Sequence, residues 1–448
     1  MLDTVAVGPT NQVLFQVSGE GETSLLRLID TLAQEDKVYS PQSPFHGSTP
    51  QAWPWNHSMK MLLLAFCANC IVGDLGGGTG VSLAASCTER PHVSGFQRLI
   101  AFWINVTLPT LIRLGLSLLK FNNTMDRNLK NAVIAFLTPL PSILFYLYFL
   151  NHSYDGDANA NALSPLWKWC FDHPLLLANA LFFLNVNVLF WVISHLLSSF
   201  WMIDLYWTVI PVLLLYYYAA HPLAQYDLWR SRIVTVLTWV WSIRLTHNYF
   251  RREKWQWGAR EDWRFTDMRI QYGNHWWWAS FFAVYASQQV FLIGICLPMY
   301  IVHSVDKPVN IWDFVAIVVC ISGIVIAYYA DTQLHEFVTK NEKLKELGLP
   351  MVLNLERGLW CYSRHPNYFG EQLWWWGLAI FAWNLGHGWA FIGALINSMC
   401  LAYVTLLVEQ RMLKRESRAE AYRLYQKTTS VWVPWFKSSA IAAKVKET

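Results

Sequence analysis

The sequence predicts an all-α fold, a polytopic transmembrane helical bundle of about ten membrane helices, with a polar site gathered at the cytosolic side of the C-terminal ones. Three observations predict it. The 448 residues are 54% hydrophobic and only 14% charged, where a soluble domain carries about a quarter charged residues. Apolar windows of about the 20 residues needed to cross a bilayer follow one another from residue 60 onward. Lysine and arginine collect in alternate connections, as the positive-inside rule requires of membrane proteins.

A polar stretch over 1–58 comes first. It lacks a basic segment followed by a clean apolar run, so no cleavable signal peptide is expected. Within it, SLLRLIDTLAQEDKVY either forms an amphipathic surface helix or belongs to a disordered cytosolic tail. The windows then fall near 60–83, 97–119, 131–150, 174–195, 201–220, 231–250, 277–301, 310–330, 371–387 and 389–408. Residues 59–172 make an N-terminal membrane extension of about three helices, 173–436 a second membrane domain, and 437–448 a C-terminal tail. Three segments are rich in basic residues: RREKWQWGAREDWRFTDMR at 251–269, the 337–364 connection, and RMLKRESRAEAYRLYQK after the last window. With ten spans all three share a side with KFNNTMDRNLK and the N-terminal tail, which places both termini in the cytosol. Of the N-x-S/T sites, Asn151 then faces the lumen, Asn56 and Asn122 do not, and Asn105 falls inside a span.

The 26 tryptophans and 20 tyrosines suit membrane interfaces, where a ring with a polar handle settles. A net charge of +4 from 34 basic and 30 acidic residues is too balanced for a nucleic-acid partner. The eight cysteines lack the paired spacing of a disulfide framework. CANC at 67–70 has no second pair nearby and reads as packing, so no metal site is expected. GDLGGGTG at 73–80 fits no phosphate-binding pattern; its Gly73/Gly77 and Gly76/Gly80 spacings match close helix packing.

Ionisable groups at membrane depth cost free energy and mark functional sites. Here they gather at the cytosolic ends of the last six windows. Asp204 lies in SFWMIDLYWTVIP, Arg244, His247, Asn248 and Tyr249 in SIRLTHNYFRR, and Gln288 and Gln289 in ASQQVF. Asp331, Gln333 and His335 lie in ADTQLHEF, with Glu409 and Arg411 further on. The densest cluster is GLWCYSRHPNYFGEQLWWWG at 358–377. Pro366 is suited to the first turn of a helix, and residues three and four apart share a face. A helix starting near His365 therefore points Asn367 and Glu371 the same way, with Arg364 just ahead and Tyr368 on the adjoining face. Free backbone N–H groups, the helix dipole and Arg364 suit an anion there, and Asn367 with Glu371 suits a carboxamide. An arginine and histidine meeting lipid phosphates beside an aromatic belt is the plainer reading of the same residues.

The 358–377 stretch resembles the cofactor motif of the steroid 5-alpha-reductase-like membrane reductases, in particular the subgroup labelled domain of unknown function 1295. DLYWTVIP, WSIRLTHNYFRR with EDWRF, ADTQLHEF and EQRMLKRESRAEAYRLYQKTTSVWVPWF are similar to further pieces of that family, in the same order, over roughly 174–436. The R-H-P-x-Y core is also similar to isoprenylcysteine and phospholipid methyltransferases. What the resemblance implies is an oxidoreductase of the endoplasmic reticulum membrane that uses NADPH to reduce a carbon–carbon double bond, often that of an enone, in a steroid or other lipid. It implies that Arg364, His365, Asn367, Tyr368 and Glu371 line the cofactor, with Asn367 and Glu371 near the nicotinamide and Asp331 and Gln333 as further contacts. Arg411, Arg415, Tyr422 and Tyr425 would lie around its phosphates and adenosine. Asp204 stands where the steroid reductases carry a catalytic glutamate, and Tyr249, or His247 in its stead, where they carry a tyrosine.

Each residue has a structural alternative. Asp204 can pair with Arg244 as a buried salt bridge, and Asp331 and Gln333 can bond neighbouring backbone. GAREDWRF, with Arg264, can be a loop of internal ion pairs, and Trp374 to Trp376 can be packing. Two other functions stay open: S-adenosylmethionine-dependent methyl transfer to a lipid or prenyl group, and a non-enzymatic membrane scaffold or transporter. The amide and carboxylate of NYFGE favour reduction over methyl transfer, and clustering at one face differs from a transporter's midplane site.

Overall fold

The computed structural model describes residues 126–154 and 165–437. These residues are helical apart from turns, loops and one isolated backbone bridge between Ser363 and Ser430. The windows 60–83 and 97–119, the CANC and GDLGGGTG stretches, the 24–39 helix and the sites at Asn56, Asn105 and Asn122 lie outside the described residues.

Helices α1 (Arg127–Leu137) and α2 (Leu140–Tyr154) are parted only by Thr138 and Pro139. Helix α3 (Pro165–Asp172) leads into α4 (Pro174–Leu197), which widens into π-helix at Phe183–Phe190. Short helices α5 (Trp201–Tyr206) and α6 (Ile210–Ala219) precede the long α7 (Leu228–Arg252). Helix α8 (Trp263–Tyr272) turns at Gly273 into α9 (276–302), itself π-helical at Phe281–Ala286. Then come α10 (Ile311–Glu346), α11 (Pro366–Asn384), α12 (Phe391–Leu413) and α13 (Glu416–Thr428).

Among the described residues, five helical runs are long and apolar enough to cross a membrane: Arg127–Asn151, Pro174–Leu197, Trp263–Val302, Ile311–Glu346 and Gly388–Leu413. The protein is thus an integral membrane protein of the helical type, and of the eight expected windows that fall among the described residues five are spans by this measure. Two differences account for the other three. The window 201–220 is not one helix but α5 and α6, broken over 207–209. Pro211 sits in the first turn of α6, where its missing N–H is harmless; in one continuous helix that N–H would be owed to the Trp207 carbonyl four residues back, against which the ring would clash, so the helix restarts instead. The window 231–250 lies inside α7 and 371–387 falls in α11 up to Asn384, but both helices fall short of the hydropathy of a span.

Small residues set the packing. On α10, Ala316, Cys320, Gly323 and Ala327 form a stripe that meets Gly370 and Gly377 of α11. A Cβ on Gly370 would lie 2.6 Å from the Ala327 nitrogen, and one on Gly377 would lie 2.9 Å from that of Cys320. In lipid, where burial drives helix association weakly, such bare seams let backbones approach. One end of the bundle is fixed by the start of α7 against the start of α10. Arg230 donates to both oxygens of Asp313, at 2.7 and 3.0 Å, with both side chains fully buried. The same aspartate caps α10 by accepting the Asn310 N–H at 2.9 Å. At the other end, the last turns of α7, the second half of α10, the start of α11, the end of α12 and α13 converge.

Candidate functional site

Helix α11 starts at Pro366, with His365 non-helical before it at φ −138° and ψ 60°. The preceding turn is held by Gln333, whose side-chain oxygen accepts the Leu359 N–H at 3.0 Å. Gly358 is needed there. Its φ is +58°, and a Cβ would lie 2.6 Å from the Gln333 carboxamide carbon. Backbone bonds from Arg364 to Ser430 (2.8 Å) and from His365 to Val431 (3.0 Å) tie the segment after α13 to the start of α11.

Two polar networks occupy this end. In the first, the buried guanidinium of Arg244 donates to Asp331 at 3.1 Å and to Glu371. Glu371 also accepts from Trp241 Nε1 at 3.0 Å, and Asp331 accepts from Asn367 Nδ2 at 3.2 Å. Trp241, Arg244 and Asn248 are three and four residues apart on α7, as Asn367 and Glu371 are four apart on α11, so helical spacing delivers both walls. The Asn367 carbonyl oxygen is buried and has no hydrogen-bond partner among the described residues. In the second network, Glu409 accepts from Arg364 Nε at 2.8 Å and Gln426 Nε2 at 2.7 Å, and lies 3.1 Å from His365 Nε2. Arg364 also donates to the carbonyls of Gln426 and Thr429, at 2.8 and 2.7 Å. His365 stacks on Tyr368 with centroids 5.3 Å apart.

Between the networks and α13 lies a cavity of about 150 Å³. Arg364, His365, Asn367 and Tyr368 form one wall, Tyr422 and Tyr425 another, and Leu353 to Leu355 the roof. Arg418 completes the lining. It has no ion-pair partner among the described residues, and burial, with the like charge of Arg415, pushes its guanidinium down from the usual range. An unpaired, half-buried cation at a cavity edge is an anion site in waiting.

A third cluster surrounds Asp204 on α5. The charges of Asp262, Arg264, Arg252 and Glu253 act on it, and its own charge acts on Tyr249. Tyr249 is buried, with its hydroxyl set beside the Gly258 backbone. Arg264 pairs with Asp262 at 2.8 Å and also feels Tyr368, which stands between this cluster and the cavity. Arg264, in the first turn of α8, therefore belongs to a set of local ion pairs that links α8 to the loop before it, with Arg260 on Glu253 at 3.3 Å and Arg269 on Glu261 at 2.9 Å.

The structure thus brings Arg364, His365, Asn367, Tyr368, Tyr422 and Tyr425 around one cavity, with Asp331 one hydrogen bond behind Asn367 and Glu371 joined to Asp331 through Arg244. Gln333 instead supports the 358–359 turn. Arg415 is exposed, and Arg411 stacks over Trp263 at 4.2 Å, away from the cavity. Asp204 does not pair with Arg244, which is taken by Asp331 and Glu371. His247 packs its ring against Trp255, and Trp374 and Trp375 are core, packed on Trp241. Sequence reasoning missed Arg418 and the hub role of Arg244. Arg418 was legible: it precedes Tyr422 by four residues and Tyr425 by seven, on one helical face.

Comparison with known proteins bears on the same region. Over 228 residues the chain is 28% identical to an uncharacterized protein of Schizosaccharomyces pombe, an alignment covering 47% of this chain and 64% of the length of that relative. No solved structure matches the chain. The family model for DUF1295, described as protein of unknown function, matches residues 190–429. That stretch holds the cavity, both polar networks and the Asp204 cluster, and it is more than half of the sequence; the chain belongs to the DUF1295 family.

Proposed function

We propose that the protein reduces a carbon–carbon double bond of a lipid or steroid enone within the membrane, using NADPH. Asn367 is the observation that carries this reading. Its N–H is given to Asp331 and its carbonyl oxygen is buried beside the cavity without a partner, which suits the donor group of a carboxamide. Arg418 fits a phosphate, and Tyr422 and Tyr425 offer faces to an adenine. At about 150 Å³ the cavity is below the ~300–1,000 Å³ of small-molecule pockets, so a dinucleotide would extend past it or displace the roof at 353–355.

Bound there, a reduced nicotinamide supplies a hydride for the β carbon of the enone. The chain's own part is to orient and to hold a proton. Arg244 fixes Asp331 and Glu371, and through Asp331 fixes the Asn367 amide. Asp204 and Tyr249 stand as the donor pair for the carbonyl oxygen, where negative charge develops as the β carbon is reduced. The proton that completes the saturated ketone at the α carbon comes from solvent or from this pair. Methyl transfer has no comparable support, since it gives the Asp204–Tyr249 pair no role.

The wider setting belongs to the same proposal. The chain has about ten spans, both termini in the cytosol and residence in the endoplasmic reticulum membrane; the basic segments 251–269 and 411–427 at the cavity end of the bundle support a cytosolic face for the site, and the compartment rests on the family resemblance. The test is thermal stabilisation of the purified protein by NADPH, NADH and S-adenosylmethionine separately, with Asn367→Ala and Glu371→Ala beside the wild type. Stabilisation by NADPH that both variants lose is expected. Stabilisation by S-adenosylmethionine instead, or by none of the three, would overturn the proposal.

A further inference from the structure

The loop 253–262 joins α7 to α8 and forms one side of the Asp204 cluster. Glu253 and Asp262, at its two ends, both act on Asp204. At its middle, Gly258 has φ +58°, and a Cβ there would lie 2.5 Å from Cδ2 of Trp201, three residues before Asp204. The bare backbone thus presses on the indole that leads into the site.

Helix α1 holds the other side of this loop. Asn128 Oδ1 accepts the Trp257 N–H at 2.6 Å, and Asn131 Nδ2 donates to the Trp257 carbonyl at 2.8 Å. The two asparagines are one turn apart on one helical face, so a single residue is gripped by both its backbone polar groups. The backbone fixes which amide atom does which, because an N–H can only donate and a carbonyl only accept. Phe136 lies against the Trp257 ring at 5.5 Å. Helix α1 also receives α5 itself, since the Tyr206 hydroxyl donates to the Ala135 carbonyl. An element ahead of the family-matching residues 190–429 therefore clasps both parts of the chain that flank Asp204.

We propose that Asn128 and Asn131 are positioning residues, through which α1 holds loop 253–262 over Asp204, keeps bulk water from it and shapes the space that receives the carbonyl end of the substrate. On this view the N-terminal extension is a specificity element of the site. The inference rests on the reading of Asp204 and Tyr249 as the proton-donating pair.

The two asparagines make opposite predictions under the same change. Asn128→Asp keeps the acceptor that Trp257 needs, whereas Asn131→Asp sets a carboxylate oxygen against a carbonyl oxygen. In the full chain in nanodiscs, three readouts are taken: amide exchange of 253–262, labelling of Asp204 by a water-soluble carbodiimide with an amine, and NADPH oxidation with a 4-en-3-one steroid. Asn131→Asp is expected to raise loop exchange and Asp204 labelling about tenfold and to raise KM for the enone about tenfold. Its kcat should change less than threefold, and its stabilisation by NADPH should stay intact. Asn128→Asp is expected to remain within twofold of wild type in all of these. Equal effects of the two variants, unchanged exchange and labelling in Asn131→Asp, or a fall in kcat without a rise in KM would overturn the proposal. A wild type that oxidises no NADPH defeats the reductase reading and the specificity role with it. The exchange and labelling results then still decide whether the clasp shields Asp204, so the two failures are told apart.

Discussion

Replacing Arg244 by methionine tests the first polar network directly. Arg244 is 7% exposed, and its guanidinium donates to Asp331 at 3.1 Å and to Glu371. Hydrogen bonds to charged groups contribute about 1.5–3 kcal/mol each, so losing two costs about 3–6 kcal/mol. That agrees with the roughly 3–5 kcal/mol for stripping a buried charge of its partner. At roughly 2 °C or less per kcal/mol for a chain of this size, thermal unfolding in detergent, followed by tryptophan fluorescence, should fall by about 5–10 °C. The double variant Arg244→Met with Glu371→Gln removes one of the two stranded carboxylates and leaves an acceptor for Trp241 Nε1. It should regain about half of the loss. If the double variant instead loses the sum of the two single effects to within about 0.5 kcal/mol, the three groups do not form one electrostatic unit and the reasoning fails.

Arg418→Gln should weaken a phosphate-bearing ligand about 10–100-fold, the equivalent of one charge-assisted bond, and should reduce the salt dependence of binding measured by titration calorimetry. Glu409→Gln takes the negative charge from Arg364 and leaves it only neutral acceptors, the new carboxamide oxygen and the carbonyls of Gln426 and Thr429; melting should fall by several degrees, and Arg364→Met in the same chain should restore part of it. Gly370→Ala puts a Cβ against the Ala327 nitrogen and should destabilise by about 1–3 kcal/mol as an overpacked seam, read as a lower midpoint in detergent melts, whereas Gly348→Ala, with open space around it, should show only the smaller cost of its positive φ.

Much of this arrangement was legible in the sequence because it depends on local spacing. A spacing of four from Asn367 to Glu371, and a proline after His365, are enough to predict a polar face at a helix start. The long apolar runs of α4, α9, α10 and α12 announce themselves by length. The break between α5 and α6 was also written there, in Pro211, but an uninterrupted apolar run hides it. What could not be read is what depends on distant partners. Nothing near Arg244 says that it chooses Asp331 and Glu371 over Asp204, because that choice is made by how α7 lies along α10 and α11. Nothing near Trp257 says that Asn128 and Asn131 will find it, more than 120 residues earlier in the chain. Arg411 and Arg415 shared the basic composition of Arg418, but only the turn between α12 and α13 decides which of the three faces the cavity.

The bare seam between α10 and α11 has a mechanical meaning. Side chains that interdigitate can slip by changing rotamer, but two backbones in contact through Gly323, Gly370 and Gly377 have no such freedom. The two helices behave as a single plank, and Asp331 and Glu371 ride on it at a fixed separation. Any motion that admits or releases a ligand must then take place along the plank's edges, at α7 or at α13. Arg244 and Arg364 are the rivets at those two edges.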